Sequence, residues 1–205
     1  KSLLSIVAVL ALLLSVLNAD AQTKSSDLRS CASHDKMVEM MGLNPEFRNR
    51  QQAIEERTAL FVQSQQVARA SGQKSAQDII TIPVVFHIVY SNDAQNIPDS
   101  EIYEQMDVLN EDFRYLNSNQ DNLWDQAADT EIEFCLASRD PSGAPSDGIL
   151  RVPTTSGSFG TSDNVKFTAN GGSDAWPSSD YLNFWVCDLG GGLLGYAQFP
   201  GGNAA

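Results

Sequence analysis

Histidine and cysteine are the side chains best suited to metal or nucleophilic chemistry near neutral pH. This sequence has two histidines, His34 and His87, and three cysteines, Cys31, Cys135 and Cys187. The histidines stand 53 positions apart in segments of different character, which matches no zinc-ligand spacing, where two histidines sit a helical turn apart. His87 lies in a β-branched and aromatic run, so it reads as a sheet histidine satisfied by hydrogen bonding and not as a ligand. There is no G-x-S-x-G elbow, and two such scattered histidines suit no triad, which sets aside a serine hydrolase. Gly190-Gly191-Gly192 is followed by neither Gly-Lys-Ser nor Gly-Lys-Thr and opens no helix, so it reads as a turn and not as a phosphate loop. Cys135 and Cys187 fall in strand-like segments and can bridge or stay as buried thiols. Cys31 stands far upstream in polar sequence, and the odd count leaves one cysteine over.

The elements that must position these groups begin at Ile79. From there to Tyr90 the chain is apolar on both faces, with Pro83 holding the interior strand proper to Val84–Tyr90. Asp99 or Ser100 can cap a helix in which Ile102, Met106, Leu109, Phe113 and Leu116 recur in steps of four and three. Glu131 to Ala137 alternates as a strand, which completes a β-α-β unit with right-handed crossover expected. Asp140-Pro141-Ser142-Gly143 is a turn, and the Ser, Thr, Gly and Asp-rich stretch from Pro153 to Asp180 is expected to be surface loop. Tyr181 to Cys187 is a further strand, and Leu193 to Phe199 reads as its hairpin partner across the glycine turn. One good helix is little cover for such a sheet, from which we expect a domain that continues past Ala205.

Ahead of the domain, the aliphatic run Leu3–Leu17 followed by Asn18-Ala19-Asp20-Ala21 has the form of an export leader, too short for a membrane span. Residues 1–21 are thus expected to be removed, leaving a secreted protein with no membrane attachment. Residues 22–78 are polar and form an expected pro-segment. Asn44 and Pro45 open a helix there with Phe47, Ile54, Phe61 and Ala68 at intervals of seven, closed by Ser71-Gly72. So thin an apolar stripe suits a helix lying against another surface. Arg69, Gly72 and Lys74 mark a polar linker open to proteolysis. Asp and Glu outnumber Lys and Arg by 26 to 13, and a net charge of -13 excludes nucleic acid as a partner.

Three stretches of the domain, taken together, carry a resemblance: Ile82-Pro83-Val84-Val85-Phe86-His87-Ile88-Val89-Tyr90; Glu133-Phe134-Cys135-Leu136-Ala137 with Asp147-Gly148-Ile149; and Asp174-Ala175-Trp176, Tyr181–Cys187 and Leu194-Gly195-Tyr196-Ala197-Gln198-Phe199-Pro200-Gly201. With Leu109-Asn110-Glu111-Asp112-Phe113-Arg114 as a first helix, this set resembles the pappalysin-type metalloproteases, secreted zinc endopeptidases of the metzincin group. The resemblance implies an α/β (α+β) fold, namely the upper subdomain of a metzincin: a mixed twisted sheet with one backing helix, preceded by a helical pro-segment. It divides the chain into leader (1–21), pro-segment (22–78) and the N-terminal part of a catalytic domain (79–205). It implies zinc held by an H-E-x-x-H-x-x-G-x-x-H helix that these residues do not contain, so no catalytic residue is expected here and this stretch alone should be inactive; calcium use stays open. It places Leu193, Leu194, Gly195, Tyr196 and Ala197 on the cleft rim, where an extended protein or peptide substrate adds antiparallel as another strand. It makes Cys31, in Leu28-Arg29-Ser30-Cys31-Ala32, the counterpart of a pro-segment cysteine that ligates the zinc in the latent state, although Ala32 stands where Arg-x-Cys-Gly has glycine. The rival reading is a secreted binding or adhesion module on the same scaffold.

Overall fold

An apolar strand of the Ile79–Tyr90 kind must be covered on both faces, and in the computed structural model, which describes residues 30–71, 79–118, 120 and 127–199, it is. The run is β2 (Ile80–Tyr90); ahead of it lie β1 (Ser30–Cys31), α1 (Ser33–Leu43) and α2 (Pro45–Ala70). After it come α3 (Asp99–Phe113), β3 (Ile132–Leu136), β4 (Ile149–Pro153), β5 (Leu182–Val186) and β6 (Leu193–Gly195). The expected leader, the first residues of the expected pro-segment, and Gly72 and Lys74 of the linker lie outside the described residues.

All three partners of β2 run parallel to it. β5 lies along one edge, from Val84 opposite Leu182 to Ile88 opposite Val186. β3 and β4 take successive lengths of the other edge, Ile80–Val84 and then Phe86–Tyr90. The edge changes hands where Ala137 N–H donates to the Val84 carbonyl and Phe86 N–H to the Gly148 carbonyl, both at 2.8 Å. Between them the chain leaves the sheet for the expected Asp140 turn, whose carboxylate accepts from the N–H groups of Ser142 and Ala144 at 2.9 Å. Gly148 makes the return possible: its φ is +74°, and a Cβ there would stand 2.8 Å from Ala137 N. Pro83 is tolerated within β2 because β5 begins one residue later, so no ladder bond is asked of it on that edge.

One face of the sheet packs Val84, Phe86 and Ile88 against Ile102 and Met106 of α3, with Phe134 and Ile149. Asn110 locks α3 to β3, donating to the Phe134 carbonyl at 3.0 Å and accepting from its N–H at 2.7 Å. Arg114 adds ion pairs to Asp129, at 2.9 Å, and to Glu133. The helix ends earlier than its periodicity suggested, because Tyr115 takes a φ of +55° and throws Leu116 out to 71% exposure.

The opposite face corrects the surface-loop expectation. The segment after β4 packs Phe159 and Val165 onto Val89, with Trp185 and Leu189 at the margin, so irregular chain supplies the cover that a second helix would. The hairpin is corrected as well. Phe159 takes the backbone groups just past β5, donating to the Asp188 carbonyl at 2.8 Å and accepting from Gly190 N–H at 2.9 Å. Gly191 and Gly192, at φ of +70° and +74°, then turn β6 away, and it pairs with β1 instead of β5.

In the N-terminal part, Asn44 caps α2 as expected, its Oδ1 accepting from Phe47 N–H at 3.1 Å. Phe47 is fully buried, Ile54 and Ala68 are half-buried and Phe61 is exposed, so the stripe is covered unevenly. The helix α1 was not foreseen; it buries no residue fully and its apolar pattern is weak.

Candidate functional site

β6 leaves the glycine turn with an open edge, and β1 fills it. Ser30 faces Leu193 and Cys31 faces Gly195 in parallel register. Ser30 N–H donates to the Gly192 carbonyl at 3.1 Å and Ala32 N–H to that of Gly195 at 2.9 Å. Further along, Ala197 N–H donates to Ser33 Oγ at 2.8 Å. Of the five residues expected on a peptide-binding rim, Leu193, Leu194 and Gly195 form the strand, while Tyr196 and Ala197 prolong it without regular pairing. The structure thus joins two features that were separate in the sequence, the Leu193–Gly195 strand and Cys31.

Cys31 is exposed, with Sγ 3.2 Å from Ser33 Oγ. Hydrogen bonding to the Ser33 hydroxyl, and then to its main chain, holds the thiol below its ordinary pKa, which favours the thiolate form that binds metals.

Beside this edge a carboxylate ties the two segments together. Lys36 of α1 extends its ammonium to Asp163 Oδ2 at 3.2 Å and to the Thr161 carbonyl at 2.8 Å. Asp163 Oδ1 accepts from Lys166 at 2.9 Å and from the Tyr196 hydroxyl at 3.1 Å. Lys166 also lies 5.7 Å from the ring centres of both Trp185 and Tyr196. Burial pushes the Asp163 carboxyl up, but Lys166 and Lys36 together outweigh it and hold the group below the usual carboxylate range. The Tyr196 phenol moves the other way, raised by burial and then by the Asp163 charge. Sequence reading missed Lys36, Thr161, Asp163 and Lys166. The one local oddity there, the φ of +64° at Asp163, is a backbone property that aspartate tolerates and that leaves no mark in composition.

The fully buried His87 stacks on Trp185 at 4.9 Å between ring centres. Its Nε2 is 3.0 Å from Asn183 Oδ1 and its Nδ1 2.7 Å from Ser173 Oγ. The Asn183 amide is oriented by the main chain of Trp176, accepting from its N–H at 2.8 Å and donating to its carbonyl at 2.9 Å. Nε2 must therefore donate to Oδ1, and Nδ1 accepts from the Ser173 hydroxyl: a neutral imidazole with both nitrogens satisfied, as expected for a sheet histidine. Burial lowers its pKa, opposed by the Asn183 bond and by the Asp174 charge. Since the unfolded chain binds a proton here more readily, this contribution to stability is complete above the ordinary imidazole pKa of about 6.5 and shrinks as pH falls below it. Denaturant titrations from pH 7.5 to 5 should show the wild type losing stability relative to His87→Phe, with a slope of up to ~1.4 kcal/mol per pH unit. Parallel pH profiles would contradict the neutral assignment.

The Cys135–Cys187 bridge is corrected: all three cysteines are free thiols. Cys135 faces Pro83 on one edge of β2, whereas Cys187 follows Val186, the partner of Ile88, on the other. Six residues along a strand is about 20 Å at ~3.3 Å each, far beyond the ~7 Å between Cα atoms that a disulfide spans. Burial, with a smaller part from Asp188, pushes the Cys187 thiol up to about 11. Among the described residues no group of three or more His, Cys, Asp or Glu side chains could hold a metal ion, and Cys31 is the one thiol on the β1–β6 pair.

An α/β sheet with one backing helix, carrying a helical N-terminal segment whose β1 pairs with β6, matches a solved structure of a promirolysin mutant from Tannerella forsythia. The match has a TM-score of 0.67 and 42% identity over 84% of this chain and 55% of that one. This chain shares the promirolysin fold. Mature mirolysin from the same organism, in complex with a cleaved peptide, matches at TM-score 0.58 and 51% identity over 60% of this chain and 48% of that one. Mirolysin in complex with compound 9 matches at TM-score 0.57 and 51% identity, with the same shares covered. The chain spans about half the length of these structures. No protein-family model and no curated protein matches it.

Proposed function

We propose that this chain is the N-terminal part of a secreted zinc metalloendopeptidase zymogen of the pappalysin type. In this reading residues 1–21 are an export leader, 22–78 a latency segment and 79–205 the upper part of the catalytic domain, with the zinc ligands supplied by sequence outside these 205 residues. The carrying observation is the β1–β6 pairing: Ser30 and Cys31 occupy the edge that a peptide substrate would need, with an exposed, ligand-competent thiol upon it. A segment parallel to β6 runs against the antiparallel direction expected of substrate, so it blocks the rim without presenting a scissile bond in the productive sense. The two sizes of match agree with this. The pro-form covers 84% of this chain and the mature forms 60%, a difference comparable with the segment ahead of β2.

The test uses the full-length protein before and after proteolytic removal of residues 22–78, assayed on casein with and without a zinc chelator. Activity should appear on removal and vanish with the chelator. Cys31→Ser in the intact zymogen should raise basal activity about tenfold or more, the factor that corresponds to ~1.4 kcal/mol of lost latency contact. Hydrolysis that ignores the chelator would sink the metal reading, and a folded full-length protein without hydrolysis would favour a binding module on the same scaffold.

A further inference from the structure

The stretch expected to receive a peptide is weakly held by apolar packing. No residue from Leu193 to Ala197 belongs to either apolar cluster, and Leu194 is 61% exposed. Among the described residues β6 pairs with no strand but β1. Three hydrogen bonds tie this stretch to the N-terminal segment, from Ser30 and Ala32 N–H to the Gly192 and Gly195 carbonyls and from Ala197 N–H to Ser33 Oγ. All three go when residues 22–78 depart, so the stretch needs another hold if it is to stay extended.

The domain supplies one through Tyr196. The tyrosine hydroxyl donates to Asp163 Oδ1 at 3.1 Å, and the Lys166 ammonium, 2.9 Å from the same oxygen, lies 5.7 Å from the centre of the tyrosine ring. Lys166 also reaches Gln198 Oε1 at 3.4 Å, two residues further on. Its side chain is 11% exposed and lies equally close to the Trp185 ring. Trp185 is fixed in turn, stacked on the buried His87 and donating from Nε1 to the Ser173 carbonyl at 2.9 Å. A run of contacts thus leads from the sheet to Tyr196. The two oxygens of Asp163 divide the work: Lys36 takes Oδ2 at 3.2 Å, while Oδ1 serves Lys166 and Tyr196. Losing Lys36 therefore leaves the hold on Tyr196 in place.

We propose that Asp163 and Lys166 are positioning residues for peptide binding: they clamp Tyr196, and through it keep Leu193–Ala197 extended, with its edge free, once the N-terminal segment has gone. The proposal rests on the peptidase reading above and adds to it what keeps the substrate-binding strand in shape. A strand ordered beforehand spares the peptide the cost of ordering it, which shows in KM and not in the chemical step.

Two variants test it. Asp163→Asn keeps the backbone turn, since asparagine tolerates a φ of +64° as aspartate does. Tyr196→Phe keeps the ring beside Lys166 and removes only the hydroxyl. In the mature full-length enzyme each should raise KM roughly tenfold for a peptide long enough to pair with Leu193–Ala197, with kcat held within about twofold. The double variant should be little worse than the worse single one, because both cut the same bond. A merely structural role would instead shrink the folded fraction, lowering kcat and leaving KM alone. In parallel, NMR order parameters at Leu194, Gly195, Tyr196 and Ala197 should fall from roughly 0.85 in the wild type to below about 0.6 in both variants. Unchanged order parameters overturn the clamp whatever KM does. Lost order with unchanged KM overturns its part in peptide binding while the peptidase reading stands. If the wild type cuts no peptide, the peptidase reading falls and the part in peptide binding with it, and the order parameters still decide whether the clamp holds the strand.

Discussion

Gly172→Ala should cost about 3 kcal/mol or more, or prevent folding, which is the upper end of what overpacking does. A Cβ at that position would lie 2.1 Å from the Val165 carbonyl oxygen and 2.4 Å from its carbon. These are backbone atoms, so no rotamer change relieves the contact. Nor can Val165 retreat, because its side chain is buried against Val89 and Phe159, and its carbonyl accepts from Ser173 N–H at 2.9 Å. Ser173 is in turn the partner of His87 Nδ1. The substitution therefore strikes the packing of the second sheet face and the buried imidazole together. Gly157→Ala is the control, since a Cβ there meets nothing within 4 Å. Thermal or denaturant melts of both variants check the expectation, and similar stabilities would contradict the packing described for this segment.

That glycine also shows where sequence reading stops. The parts of the fold set by periodicity were legible: β2 from its two-faced apolar run, α3 from the spacing of Ile102 and Met106, β3 from its alternation, and the Asn44 cap of α2. What failed depends on which backbone group is taken first. The glycine turn before Leu193 has hairpin chemistry, but Phe159 occupies the backbone beyond β5, from a segment that composition marks only as polar and small. The same segment holds Thr161, Asp163 and Lys166, whose partners are 33 and 125 positions away in the cases of Tyr196 and Lys36. Such pairings leave no local period. β1 pairs with β6, yet nothing in the spacing of Cys31 and Leu193–Gly195 said that they touch.

The second large effect is expected from Lys36→Glu: the N-terminal segment should leave β6. The β1–β6 pairing is two residues long and α1 buries no residue fully, so apart from Ala32 and Phe47 little apolar burial holds this segment down. Lys36 is its charged anchor. Reversing that charge sets two carboxylates against each other where an ammonium now bridges Asp163 and Thr161, with Glu39, 3.6 Å from Lys36, adding a third negative group. A loss of about 2 kcal/mol corresponds to a ~30-fold shift in the docked population, so hydrogen exchange at Ser30, Ala32 and Ala197 should accelerate by about that factor while amides in β2 stay protected. Lys36→Met separates charge from packing, since it keeps most of the apolar stem; it should give a smaller acceleration, and wild type in high salt a smaller one still because the pair is largely shielded from water. Unchanged exchange in Lys36→Glu would mean that the strand hydrogen bonds alone dock the segment.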